Sequence, residues 1–297
     1  MNTIPLIFNE RQIRRTIVGG TENISSVKIP MAAVLLNRNG SHYKQLNLEN
    51  LLKAGFQQII CVENNKSNYS LEEYVQKFPS VKTIVPLEPV TPGDMINIAF
   101  SEVQSDYVLV LWDDIKISPN LISPNVITEV FGQGRYCTAP FMQSERLQFL
   151  PVQMIPYIEK DIFHVTPEQP KSDGAPTVYP YDYIGIYHRE KFISLGGYDY
   201  TINNPFWQNL DLSVRAWLWG ENINFCSNFK LQYDQVVPLE DSTADYTQLR
   251  FYLKNCAPVF SDGNVYIPHS LFFKYCHSAG KSIFYAFSEF TDARSWV

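Results

Sequence analysis

YVLVLWDD, residues 107–114, is a run of six apolar or aromatic residues followed at once by two carboxylates. A short apolar run bounded by polar residues is the pattern of a strand buried on both faces, as in the middle of a parallel sheet. Two adjacent carboxylates at the end of such a strand are costly to bury unless a cation or hydrogen-bond donors neutralise them. A hard divalent ion, Mg2+ or Mn2+, held by one or two carboxylates and by the phosphates of a substrate, resolves that cost. The alternative is a solvated turn leading to Pro119, and the two acids alone do not decide between these.

Toward the amino end the same kind of run recurs. Residues 31–36 (MAAVLL) and 59–62 (IICV) read as buried strands, and residues 83–85 as a shorter one. Between them, QLNLENLLKAG puts Leu48, Leu51 and Leu52 at helical spacing with Gly55 where a helix would stop. A second helix is predicted over residues 71–78. Thr91-Pro92-Gly93-Asp94 reads as a helix start, with a threonine cap, proline in the first turn and an acid three residues after the cap. Ile96, Ala99, Phe100 and Val103 give that helix one apolar face. Strands alternating with helices predict a parallel sheet covered by helices, in which ligands bind beyond the carboxyl ends of the strands. Three polar clusters, residues 37–39, 63–65 and 113–114, follow strand carboxyl ends and are expected to line one cleft.

Residues 132–179 are irregular, rich in proline, glutamine and aromatics, and are expected to be loops and short strands shaping a substrate pocket. Regularity returns in YPYDYIGIYHREKFISLGGYD, read as a strand, a short helix and a glycine turn. NLDLSVRAWLWG, after Trp207, is a helix with Leu210, Val214, Trp217 and Leu218 on one face and Gly220 closing it. LRFYLKN and SLFFKYCHSAGKSIFYAF are expected to be helices packed on the main domain. Their aromatic residues suit a core, and a membrane surface is the second option.

Composition narrows the function classes. With 297 residues, 45% of them hydrophobic, the chain is long enough for one large domain with an appendage. A net charge of −6 argues against general nucleic-acid binding. The five cysteines, Cys61, Cys137, Cys226, Cys256 and Cys276, contain no CxxC pair and fit a reduced, cytoplasmic setting. Nowhere are there ~18 consecutive apolar residues, so no transmembrane helix is expected, leaving a soluble or at most membrane-peripheral protein. AGKS at residues 279–282 lacks the glycine that a phosphate-binding loop needs at position 275, which is Tyr275. GxGxxG, GxSxG and HExxH are all absent.

The order of apolar strand, NLENLLKAGF, IICVENN, a capped helix containing Asn97, and DYVLVLWDDIKISP resembles the nucleotide-binding half of GT-A-fold glycosyltransferases, particularly the family 2-like group. YIGIYHREKFISLGGYD followed by FWQNLDLSVRAWLWG is similar to that group's acceptor half. There a GG(F/Y)D turn precedes a W-E-D-x-D-L helix start. The resemblance spans roughly residues 28–235. It implies an α/β GT-A fold, a Rossmann-like, mostly parallel central sheet flanked by helices, with a helical carboxyl-terminal extension. It also implies a division into an amino-terminal extension (1–27), a GT-A domain (28–235, with halves 28–120 and 121–235) and the extension (236–297).

The resemblance implies roles for single residues. Asn37 stands where the family contacts the nucleotide, Glu63 where an acid meets the base, and Asn97 near the phosphates. Asp114 matches the second acid of the D-x-D metal motif, with Asp113 in its middle position. Gly196 and Gly197 match the turn beside the donor sugar, while Trp207 and Asp199 are candidates for acceptor binding. Asp234, after the strand NFKLQ, is chosen over His277 as a third metal ligand. Two departures stand out. Trp112 occupies the place of the first acid of D-x-D. Gln208-Asn209 occupies that of Glu-Asp, whose Asp is the general base of inverting members. An amide has no accessible pKa for that task.

Asp211 remains, either as a first-turn acid paired with Arg215 at i+4 or as a catalytic or acceptor-binding group. Three explanations of Gln208-Asn209 stay open. The base is Asp211 or Asp199, the reaction is retaining, or the chain binds without transferring. The implied function is a metal-assisted glycosyltransferase. It would move a sugar from a nucleotide-diphosphate sugar, UDP-linked in preference to GDP-linked, to a glycan, lipid or other hydroxyl acceptor. A catalytically silent nucleotide-sugar or glycan-binding module is the competing reading.

Overall fold

The apolar runs form the centre of one sheet, in a computed structural model that describes residues 10–21, 24, 26–38, 43–64, 71–160 and 162–280. In chain order the first half contains β1 (Arg15–Gly19), β2 (Ile29–Leu36), α1 (Lys44–Ala54), β3 (Phe56–Val62), α2 (Leu71–Lys77), β4 (Lys82–Pro86), α3 (Pro92–Glu102) and β5 (Tyr107–Trp112). Every residue of β5 is buried, as is nearly all of β2. Side chains such as Val34, Leu35, Val110 and Leu111 each gain about 1.5–3 kcal/mol from full burial. Local signals hold the intervening helices in place. Gly55 adopts a left-handed conformation to close α1. Thr91 and Asp94 form a reciprocal capping box at the start of α3.

The second half adds α4 (Pro124–Gln133), β6 (Cys137–Gln143), β7 (Gln153–Glu159), β8 (Ile162–Glu168), a 3-10 turn (Tyr181–Tyr183), β9 (Gly185–His188), α5 (Arg189–Ser194), α6 (Pro205–Leu218) and β10 (Ile223–Gln232). The eight-stranded sheet has the order β1-β4-β3-β2-β5-β9-β6-β10. The strands from β2 to β5 are mutually parallel, and β6 pairs in parallel with β10. Only β1, at the edge, and β9, between β5 and β6, run antiparallel to their neighbours. The expected mostly parallel α/β sheet is therefore the one that forms.

Two parts of the sheet differ from the sequence expectation. The stretch expected to hold loops and short strands supplies β6, a member of the main sheet beside the edge strand β10, together with the separate β7–β8 hairpin. Pro140 lies inside β6 and breaks the apolar alternation that would mark a strand. Residues 15–19, read as part of an extension, form the antiparallel edge strand β1. Its half-exposed sequence RTIVG carries little apolar signal.

After β10 come α7 (Tyr246–Asn255), β11 (Val259–Ser261), β12 (Asn264–Tyr266) and α8 (His269–Ser278). Leu249, Phe251, Tyr252, Leu253, Phe272 and Tyr275 of α7 and α8 pack with Trp207 and Leu210 of α6 in a second apolar cluster. The aromatic residues of LRFYLKN thus serve a core. The end of the last predicted helix, SIFYAF, lies outside the described residues. Among the described residues, no helix is long and apolar enough to cross a membrane.

Candidate active site

Strands β2, β3 and β5 end in register, with Leu36 opposite both Val62 and Trp112. The backbone ladder continues one residue further, through Asn37 N–H to Val62 O (2.9 Å) and Asp113 N–H to Leu36 O (2.9 Å). Asn37, Glu63 and Asp113 are consequently brought side by side at one edge of the sheet, as the strand-end reading anticipates. Residues 39 and 65 of those clusters lie outside the described residues.

The first two side chains form a closed unit. Asn37 Nδ2 donates to Glu63 Oε2 at 2.7 Å, and Lys44, from the first turn of α1, forms an ion pair with Glu63 Oε1. All three residues are buried. Glu63 is thereby held in place beside the cleft.

The acid pair is organised by Arg38, which the sequence placed in the cleft cluster 37–39 without a role of its own. Arg38 stacks on the Trp112 ring, with its guanidinium carbon 4.1 Å from the ring centre. From there it reaches Asp114 Oδ2 through Nε at 3.2 Å and Asp182 Oδ2 through Nη2 at 2.5 Å. Its backbone N–H donates to Asp113 Oδ1 at 3.1 Å. Burial works against the Arg38 charge, but Asp182 and Asp114 outweigh it and raise its pKa. Trp112, the departure from D-x-D, has two functions here. Its face carries Arg38, and its indole N–H donates to Asp182 O at 2.8 Å.

Asp182 sits in the 3-10 turn with φ +53°, followed by Tyr183 at φ +64°. Two successive non-glycine residues in the left-handed region store strain of order 1 kcal/mol or more each, a feature that clusters at functional sites. Burial pushes the Asp182 carboxyl up to about 6, opposed by Arg38 and by the Tyr233 hydroxyl that donates to it at 2.9 Å. No local pattern in YPYDYIG announces this pairing, because its partner lies 144 residues away.

Asp114 and Asp234 form the part of the site left unsatisfied. Asp234 N–H donates to Asp114 O at 2.9 Å, so the end of β10 lies against the end of β5. Asp114 Oδ1 and Asp234 Oδ2 are both buried without a hydrogen-bond partner. Burial, with Asp113 adding to it, raises the Asp114 pKa against the opposing Arg38. Hard, buried carboxylate oxygens without donors are the ligand type that suits Mg2+ or Mn2+. Asp113 is turned to the Arg38 backbone, and the three carboxylates do not converge as one cluster. Among the described residues, the trio whose ligand atoms lie within 4.8 Å of one another is Glu129, Asp173 and Cys226, which includes none of these three. Of the strand-end carboxylates, Asp114 and Asp234 are the two with a free buried oxygen that could hold an ion.

The start of α6 has a different character. Gln208, fully buried, accepts from Gly93 N–H (3.0 Å) and donates to Asp199 O (3.0 Å), tying α6 to the first turn of α3. A Cβ on Gly93 would come within 2.5 Å of the Gln208 amide, so only glycine permits this approach. Asn209 Nδ2 donates to Pro180 O at 2.9 Å, while its Oδ1 is buried without a partner. A carboxylate in place of either amide would lose the donor to a backbone carbonyl. Trp207 is buried in the second apolar cluster, its indole N–H donating to Thr243 O at 3.1 Å.

Asp211 and Asp199 also lie inside. Asp211 Oδ2 accepts from Arg215 at 2.8 Å and from Lys254 at 3.0 Å, and Oδ1 from Asn255 at 2.7 Å. Asp199 pairs with Lys254 at 2.9 Å and Arg250 at 3.4 Å. Burial opposes both charges, yet Arg215 and Lys254 hold Asp211, and Lys254 and Arg250 hold Asp199, below the ordinary carboxylate range. The i+4 pairing of Asp211 with Arg215 is the arrangement that forms. Arg215 also donates to Leu195 O and to Gly197 O (2.7 Å), pinning the glycine turn. Asn97 pins it from the other side, with Nδ2 to Tyr198 O at 2.8 Å and Oδ1 from Tyr198 N–H at 2.9 Å. Gly196 and Gly197, at φ +85° and +66°, supply the left-handed backbone that this turn needs.

No family model and no curated protein matches the sequence. Solved structures do. The crystal structure of GalNAc-T7 with UDP, GalNAc and Mn2+ superposes with a TM-score of 0.57 at 14% identity, over 89% of this chain. That of S. aureus TarS 1-349 superposes with a TM-score of 0.51 at 14% identity, over 69% of this chain. This chain has the GT-A glycosyltransferase fold. It spans 57% and 60% of the lengths of those two proteins. In GT-A terms, the Asp114–Asp234 pair lies at the carboxyl edge of the parallel strands, where open α/β sheets bind their ligands.

Proposed function

We propose that this protein is a metal-assisted glycosyltransferase. It takes a sugar from a nucleotide-diphosphate sugar, UDP-linked in preference, and passes it to a hydroxyl of a glycan or lipid-linked acceptor. One observation carries the reading: Asp114 and Asp234, bonded through their backbones at the ligand-binding edge of a GT-A sheet, each have a buried carboxylate oxygen without a hydrogen-bond partner. Asp114 and Asp234 would hold a divalent ion, with Asp113 supporting the loop. The ion, when bound, offsets negative charge on the departing diphosphate. The presence of UDP, GalNAc and Mn2+ in GalNAc-T7 supports the same assignment.

The protein's own groups then divide the work. Arg38 is a second cation at the edge of the same site, half held by Asp114 and Asp182 and positioned by the Trp112 ring. It is placed to meet phosphate oxygens in a charge-assisted pair. Asn37 and Glu63 present an edge for the nucleotide, with Lys44 holding the Glu63 carboxylate in place. Asn97, Arg215 and the two glycines hold the turn that faces the donor sugar. Gln208, Asn209, Asp211, Asp199 and Trp207 act as the scaffold behind it. The five cysteines are all free, which suits a reducing cytoplasmic compartment, with the protein in solution or at a membrane surface.

Calorimetric titration with UDP and GDP, with and without Mn2+, tests the reading. Micromolar binding of UDP that weakens without Mn2+ is expected, and Asp114→Asn should lower affinity in Mn2+ by roughly 10–100-fold. If neither nucleotide binds under either condition, the reading is lost. The buried amides Gln208 and Asn209 favour one rival, a silent nucleotide-sugar-binding module. Binding without turnover of any donor would identify it.

A further inference from the structure

If the family's base position holds an amide and both nearby acids are locked in ion pairs, an inverting transfer needs its base elsewhere. The segment after β10, residues 234–245, crosses this part of the molecule. It starts at Asp234, bonded to Asp114, and is fastened along its length. Pro238 O accepts from the Tyr181 hydroxyl, Asp241 O from Asn204 Nδ2 (3.1 Å), and Thr243 O from the Trp207 indole. Between these anchors, Glu240 Oε2 accepts from the Tyr179 hydroxyl at 2.7 Å. The Asp182 backbone N–H also donates to the Glu240 carboxylate. Asn209 is anchored on Pro180 and Glu240 on its neighbour Tyr179, so both flank the same short segment. Asn209 is buried, whereas Glu240 is an exposed residue whose carboxylate is partly enclosed against Tyr179 and Asp182. From Glu240 the contacts lead through Asp182 and Arg38 to Asp114.

We propose that Glu240 is the general base of the transfer reaction, replacing the carboxylate absent at Asn209. This rests on the glycosyltransferase reading above. In the step, the acceptor O–H proton passes to the Glu240 carboxylate as the oxygen's electron pair bonds to the anomeric carbon. The bond from that carbon to the diphosphate oxygen breaks, and its electron pair leaves on the diphosphate. The surroundings tune Glu240 for this task. Burial of its carboxyl end raises its pKa to about 7, the Tyr179 hydroxyl opposes the rise, and the Asp182 charge adds to it. The other titratable groups facing it are Tyr181 and Tyr183, both neutral near pH 7 because burial raises their pKa values. A base poised near neutrality combines ionisation with proton affinity.

The experiment uses the full chain with Mn2+ and three probes, UDP-glucose, UDP-galactose and UDP-N-acetylglucosamine, with water as the acceptor. Released UDP is followed between pH 5 and 9, and UDP binding is measured in parallel. Glu240→Gln should bind UDP as the wild type does and lose roughly 10²–10⁴-fold in turnover, along with the acidic limb of the pH profile. Glu240→Asp should recover part of the rate. Tyr179→Phe removes the bond that lowers the Glu240 pKa, so its acidic limb should move to higher pH. Turnover by Glu240→Gln within about threefold of wild type, limb intact, overturns the proposal. So does a wild-type protein that binds UDP and turns over none of the three donors. A wild type that binds no UDP or GDP instead removes the underlying reading, and the proposal with it.

Discussion

The molecule contains two clusters of aspartates that are treated in opposite ways. Behind the glycine turn, Asp199 and Asp211 are matched by three tethered cations, Arg215, Arg250 and Lys254, and by Asn255 and Thr201. At the strand ends, Asp114 and Asp182 pair with Arg38, and among the described residues Asp114 Oδ1 and Asp234 Oδ2 are buried without donors. The pKa directions follow from this. Asp199 and Asp211 are held down, whereas Asp114 and Asp182 are pushed up. Under the proposed function, a divalent cation would supply the balance missing at the strand ends. The same contrast explains why acids nominated as a base sit in the wrong cluster: a carboxylate held down by two cations is a poor proton acceptor.

Removing one partner from the saturated cluster should have the largest effect. Asp211→Ala strands Arg215 and Lys254 in the interior, and loss of one member of a buried ion pair costs about 3–5 kcal/mol. Urea unfolding should show that loss, while UDP affinity in the fraction that folds stays within a few-fold of wild type. A mild effect on stability with loss of turnover would reverse the assignment and make Asp211 a working group.

The next effect is smaller and separates the clusters by pH. Asp182, with its folded pKa raised to about 6, binds its proton more tightly in the folded chain than in the unfolded one, where a value near 3.9 applies. Its contribution to stability is therefore greatest below about pH 4 and is lost as pH rises toward 6. Asp199 and Asp211 have the opposite sign, and their contribution is present above about pH 4 and lost only on further acidification. Between pH 7 and pH 5 only the cleft should respond. The wild type should gain about 1–1.5 kcal/mol relative to Asp182→Asn across that window. A difference between the two that does not change with pH would show that Arg38 already neutralises Asp182 completely.

The readability of each cluster in the sequence follows from its wiring. Strands β2, β3 and β5 were legible because continuous apolar runs end in polar residues, and α3 because Thr91 and Asp94 form a local capping box. The place of Asp113 and Asp114 followed from those strands. Asp211 with Arg215 was legible as an i+4 pair, yet Lys254, 43 residues on, was not. Nor were Arg38 and Asp182, whose bond spans 144 residues and depends on a left-handed turn with no glycine to announce it. Strand β6 was hidden by Pro140, whereas β9 was read as a strand within YPYDYIGIYH, though its antiparallel direction was not. Trp112 was read as a lost acid. It emerges as the platform for the cation and for the turn, a role visible only when residues 38, 112 and 182 are seen together.

The smallest predicted effect tests the border between the clusters, at Asn97. Its amide makes two hydrogen bonds to the backbone of Tyr198, immediately after the glycine turn. Asn97→Ala should cost about 1–2 kcal/mol in thermal unfolding, from two net contributions of about 0.5–1.5 kcal/mol. The effect on ligand binding depends on whether Asn97 touches the donor or only holds the turn, and Asn97→Asp distinguishes these. An aspartate still accepts from Tyr198 N–H but no longer donates to Tyr198 O, so a purely positioning role predicts binding intermediate between wild type and Ala. A direct contact with phosphate predicts the reverse order, because a carboxylate there repels the diphosphate and should bind UDP more weakly than Ala does. The side chain is already occupied at both ends by Tyr198, so the positioning order is the expected one. Asn97 would then belong with Arg215 to the saturated side of the molecule, and the cleft's unmet charge would be confined to Asp114, Asp234 and their neighbours.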